Sequence, residues 1–159
     1  MKKFFLVFAI LVLGACSKSD DNSVLDSNRK NLVGVWSIVS ESSYNSSETL
    51  VNEKSLKASE ECPFDKLEFL ENGVLSLTEY VVESIKNPIC DKRFSENIGK
   101  WILQKERRLG TNNGGEVVYY TVVELNNSNL VLERILTKYE AVMGGYPSDV
   151  TKIRIFYKK

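Results

Sequence analysis

From residue 32 onward the chain repeats one pattern: short runs in which apolar and polar residues alternate, separated by turn-forming residues. Alternation with period two sends successive side chains to opposite sides of an extended backbone, so each run reads as a strand with one buried face. Trp36, Ile38 and Val39 open the series in "LVGVWSIVSES". It continues through "KLEFL", "VLSLTEYVVES", "GKWILQ" at 99–104, "VVYYTVVEL" at 117–125, "LVLERILTKY" at 130–139 and "VTKIRIFYKK" at 150–159. With a weaker candidate at 44–52 this makes about eight strands, and no segment shows a helical period. Glu71-Asn72-Gly73 joins two runs as a hairpin, since Asn and Gly both tolerate the positive φ of a type I′ turn. Residues 126–129 join another pair, while "RRLGTNNGGE" and "MGGYPSD" read as loops.

Charges assign the faces. Glu68 turns Leu67 and Phe69 inward, and Lys100 and Gln104 do the same for Trp101 and Leu103. Glu124 turns Tyr119, Thr121, Val123 and Leu125 inward, leaving Tyr120, like Tyr80, outward, where half-buried tyrosines are normal in strands and stacking on a sugar is the less favoured use. Lys152 and Arg154 leave Ile153, Ile155 and Tyr157 for the interior. One apolar face per strand suits an all-β fold, an antiparallel barrel or sandwich around one core.

The chain contains no histidine. That removes Ser-His-Asp and Cys-His nucleophile pairs and most zinc sites, which need an imidazole as base or ligand. With no nucleophile and base to assemble, the expectation is a protein that is not an enzyme, with no metal and no cofactor. Glu60 and Glu61 are adjacent and so point to opposite faces of an extended chain, which keeps them from sharing an acid–base site.

Residues 1–15 read as a leader: Lys2 and Lys3, then "FFLVFAILVL", then Gly14 and Ala15. The apolar run is too short to span a bilayer, which takes about 20 residues. Leu13-Gly14-Ala15-Cys16 resembles the lipobox of bacterial lipoproteins, which implies a diacylglycerol on the Cys16 thiol and a mature chain that begins there. Ser17 in place of aspartate implies, by the same resemblance, delivery to the outer membrane. Lys18-Ser19-Asp20-Asp21 resembles the short charged tag that sends some of these proteins to the cell surface. Residues 16–31 read as the lipidated cysteine and a flexible polar tether, and 32–159 as one domain. Lys2 and Lys3 are the only charges in the leader, so 21 basic residues become 19 against 21 acidic in the mature chain. A net charge near −2 offers no basic field for nucleic acid or for gripping anionic lipid.

Cys62 and Cys90 remain, in a chain addressed to an oxidising compartment, where pairing is the expectation. A thiol catalyst would need a CxxC spacing or a basic partner, and neither is present.

Several short motifs in order carry a wider resemblance: Gly34-Val35-Trp36 at the first strand, the 69–73 hairpin with a cysteine on either side, Gly99-Lys100-Trp101, and "TVVELNNSNLVL" at 121–132. Together they resemble the lipocalin-like domain of small Gram-negative envelope lipoproteins over most of residues 32–157. The resemblance implies an up-and-down antiparallel barrel of about eight strands with Gly34 and Trp36 closing one end. It also implies a cavity for a small apolar ligand, for which Phe69, Trp101, Tyr119 and Arg134 are the candidate lining. Arg134 lies on the face of Leu130, Leu132 and Leu136, where a cation needs an acidic partner or an anionic ligand. The chain departs from true lipocalins in lacking a Thr-Asp-Tyr turn and a C-terminal helix, and alternation puts Arg154 outward, away from Trp36. The expected partners are the membrane, through the lipid, and a small hydrophobic ligand. The alternative is a filled barrel that meets another envelope protein through loops at 85–95, 105–116 and 140–149.

Overall fold

The computed structural model describes residues 20–82, 90–112 and 115–159; Cys16 and the whole leader lie outside them. Nine strands follow in order: β1 (Gly34–Asn45), β2 (Leu50–Ser55), β3 (Lys66–Phe69), β4 (Val74–Val82), β5 (Cys90–Gln104), β6 (Arg108–Asn112), β7 (Val117–Leu125), β8 (Asn129–Ile135) and β9 (Val150–Lys158). Each pairs antiparallel with its neighbour, and β1 pairs with β9, so the sheet closes on itself. β2 pairs with residues 40–44 of β1 and β3 with residues 34–37. These two strands are halves of one interrupted stave, and the nine strands make an eight-staved barrel. Closure pairs both edges of most strands and leaves β2, which pairs with β1 alone, as an exposed edge among the described residues.

The hairpin at 70–73 forms, with different turn chemistry from the expected one. Only Gly73 takes a positive φ, 81°. Leu70 accepts from the Gly73 N–H and donates its own N–H to Val74. This is a type I turn closed by a left-handed glycine, not a type I′ turn. The 108–112 part of the expected loop is strand β6. The strand expected at 130–139 stops at Ile135, because Thr137 and Glu140 form a reciprocal capping box that starts a helix, α2 (Lys138–Met143).

The largest departure lies before the barrel. Part of the expected tether is a helix, α1 (Asp20–Leu32), with Arg29 and Lys30 in its last turn, where cations suit the helix dipole. Leu25 packs against the barrel core and Leu32 is fully buried in it. The helix lies across one end of the barrel. Trp36 donates its indole N–H to the Leu32 carbonyl at 2.7 Å, Lys159 Nζ stands 4.6 Å from the Trp36 ring, and Arg29 stands 5.1 Å from that of Trp101. Gly34, with φ 123°, brings the backbone close under Lys159. Arg154 does point outward, bonding Glu133 and facing the Tyr44 ring.

Cys62 and Cys90 are bridged. The disulfide ties the connection between β2 and β3 to the first residue of β5.

Candidate functional site at the barrel mouth

The inward residues nearest α1 are buried: Trp36, Leu75, Trp101, Leu109, Val122, Leu132 and Tyr157. Moving away from α1, the next inward residue on each strand is only half-buried. These are Ile38 after Trp36, Leu77 after Leu75, Thr111 after Leu109, Tyr120 before Val122, Arg134 after Leu132 and Ile155 before Tyr157. The lower barrel is therefore a solid plug, and above it the half-buried residues line a shallow cup, partly covered at the mouth, where Glu41 and Ile153 are buried again.

The connection between β8 and β9 roofs one side of the cup. Ala141 of α2 packs with Leu136, Val150 and Ile153. Tyr146 reaches back to the rim, donating its hydroxyl to Glu41 Oε1 at 2.6 Å. The same oxygen accepts from Lys54 at 2.9 Å. Burial, and after it the bond to Glu41, pushes the Tyr146 hydroxyl far above the ordinary tyrosine range. Arg134 pairs with Glu140, and its partial offset leaves burial as the cause that raises Tyr120. The cup thus carries paired charges and neutral hydroxyl donors on an apolar wall, a lining suited to a small apolar or amphipathic molecule. Among the described residues no cluster of three Cys, Asp or Glu could hold a metal ion.

The expected cavity residues separate. Phe69 and Trp101 meet edge to face, ring centroids 5.6 Å apart, inside the plug, not around a ligand. Trp101 also braces the hairpin, its indole N–H donating to the Leu70 carbonyl at 3.0 Å. Tyr119 is 40% exposed on the outside, with the Arg108 guanidinium 3.8 Å from its ring. Arg134 alone faces the cup. The reversal at Tyr119 has a definite cause: β7 slips register between Val122 and Glu124. A bulge there changes which residues face in, so Glu124 is a false guide to everything before it. Tyr120 and Val122 face in, and Thr121 and Val123 out, so Tyr120 does not stand outward as alternation suggests.

Glu41 and Tyr146 were not foreseen. β1 slips register between Ile38 and Ser40, which carries Glu41 inward, and no pattern marks a loop tyrosine. The Thr137-x-x-Glu140 spacing was the signal from which α2 could have been read. The loops expected to cluster also divide. The 105–107 turn lies at the α1 end, whereas residues 136–149 lie at the mouth; residues 85–89 fall outside the described ones. Four clefts of about 280–460 Å³ open on the outer surface.

A family model for a lipocalin-like domain matches residues 32–132. No curated protein sequence matches the chain. Among solved structures, lobster apocrustacyanin A1 aligns with 92% of this chain and 72% of its own, at 13% identity and a TM-score of 0.47. Apocrustacyanin C2 aligns with 88% of this chain and 68% of its own, again at 13% identity and a TM-score of 0.47.

Proposed function

We propose, from the premise that this chain belongs to the lipocalin-like domain family, that it is a lipid-anchored, non-enzymatic binding module of the outer membrane. It takes one small apolar or amphipathic molecule at the mouth of its barrel. The observation that carries the reading is the change from buried to half-buried inward residues partway along the strands. It leaves Ile38, Leu77 and Ile155 as an apolar wall with Tyr120 and Arg134 as the polar groups that orient a ligand. The lipobox-like Leu13-Gly14-Ala15-Cys16 supports the anchor, and Ser17 supports the outer membrane as its destination.

Mass spectrometry of the mature protein from its own envelope tests both halves. The expected result is a diacylglyceryl mass on the Cys16 peptide, together with a small molecule present at one per chain and released on denaturation. A native mass equal to the lipidated chain alone would contradict ligand carriage; an unmodified Cys16 would contradict the anchor.

One observation favours a second reading, docking of another envelope protein at the mouth. Tyr139, Val142 and Met143 share one face of α2 and, with Ile135, are each more than half exposed. A stoichiometric second protein that leaves when Val142 and Met143 become aspartate would favour that reading.

A further inference from the structure

Ligand binding at the mouth leaves one outer wall of the barrel without a use. Ile102 of β5, Gly110 of β6 and Tyr119 of β7 are partners in one row across the sheet. A β-carbon at residue 110 would come within 3.1 Å of the Tyr119 ring and 3.3 Å of Ile102 Cγ2, so these two side chains meet over the glycine. Ile135 of β8 stands two residues beyond Glu133, the partner of Thr121, and continues the row beside Tyr119. Ile102 is 52% exposed, Tyr119 40% and Ile135 69%, and Val117 and Val123 lie exposed on either side of Tyr119 along β7. A contiguous apolar patch of this kind marks a surface that meets another protein or a membrane. Its flank carries Arg108, whose guanidinium lies 3.8 Å from the Tyr119 ring. The acidic groups nearby stand off the row: Glu116 precedes β7, Glu124 bonds Asn126 at its far end, and Glu133 turns to Arg154 and Lys152.

The course of α1 indicates what meets this wall. Leu32, its last residue, accepts from Trp36 of β1, whereas Val24 and Leu25 share a cleft with Leu103 and Gln104 at the end of β5. Running back to Asp20, the helix therefore crosses the barrel end toward the β5–β7 side. Cys16 stands four residues earlier, so at most about 14 Å of extended chain separates it from that point. The wall thus adjoins the place where the anchor leaves the body. The other exposed aliphatics of the described strands, Val35, Leu50 and Val51, lie on β1 and β2 across the barrel.

We propose that this wall lies on the lipid bilayer, with Ile102, Tyr119 and Ile135 at the boundary between hydrocarbon and headgroups. A ring with a polar tip beside a long cation suits that boundary, since both keep their apolar parts in lipid and their polar ends in water. The barrel then rests on its side, and its mouth opens along the membrane surface. The proposal rests on the lipidation of Cys16 proposed above, which keeps the wall within reach of the leaflet.

Spin labels on introduced cysteines test it, in the mature lipidated protein on phosphatidylcholine vesicles. Ile102→Cys and Ile135→Cys report on the wall, and Val35→Cys and Leu50→Cys on the far side; all four sites are exposed. An unchanged melting temperature checks that each variant folds. Labels at 102 and 135 are expected to lose most of their collisions with an aqueous nickel complex and to gain collisions with oxygen, which concentrates in lipid. Labels at 35 and 50 should keep their access to nickel. Equal nickel access at all four sites, in protein that floats with the vesicles, overturns the docking and leaves the anchor standing. Broadening between labels at 102 would mean that a second copy covers the wall, and overturns the bilayer as its occupant. Protein that does not float overturns the anchor and the docking together.

Discussion

Trp36→Ala is expected to lower the unfolding free energy by about 3–5 kcal/mol, the range for removing a fully buried tryptophan. Trp36 has no exposed surface. Its ring fills the barrel where α1 crosses, against Leu32 and beneath Lys159. Alanine would leave a cavity too enclosed to collapse and would strand the Leu32 carbonyl that the indole N–H now satisfies. Trp36→Phe keeps much of the volume and loses only that hydrogen bond, so it should fall well short of the alanine loss. Urea unfolding of the three proteins measures the series. An alanine variant within about 1 kcal/mol of the wild type would mean that the plug is not what holds this end closed.

Breaking the Cys62–Cys90 bridge, with alanine at both positions, is expected to cost about 3–4 kcal/mol. The 28-residue separation of the cysteines sets that value through the loop-closure entropy of the unfolded chain. Cys62 is 1% exposed and sits in the break between β2 and β3, where β1 has no strand partner along that edge. The bridge thus secures the one interrupted stave of the barrel. Unfolding with and without reductant gives the same quantity independently. Equal midpoints for oxidised and reduced protein would show that the stave is held by its hydrogen bonds alone.

The barrel was legible because alternation is a local property that survives closure: eight of the strands coincide with or overlap runs of period two. What alternation does not report is where the phase slips. The bulges near Val39 and Val123 each insert a residue without any turn former to mark it, and they decide whether Glu41 or its neighbour, Tyr120 or Tyr119, faces in. Those are residues of the cup, so the candidate site was less legible than the fold. Arg134 shares the inward face of Leu130 and Leu132, as alternation suggests, because β8 carries no bulge before it. α1 was missed because its apolar residues are Val24, Leu25 and Leu32 alone among polar ones, too sparse for a helical period until the barrel supplies the surface it covers.

If the barrel is filled at the α1 end and lined by a shallow cup above the plug, a small amphipathic molecule should bind in that cup and nowhere else. Leu77 is inward and half-buried, so Leu77→Trp adds volume to the cup without entering the plug. A fluorescent fatty-acid probe should bind the wild type saturably at one per chain and bind Leu77→Trp at least about tenfold more weakly, a difference of about 1.4 kcal/mol, with an unchanged melting temperature. No saturable binding to the wild type, or equal affinity for the two proteins, would contradict it.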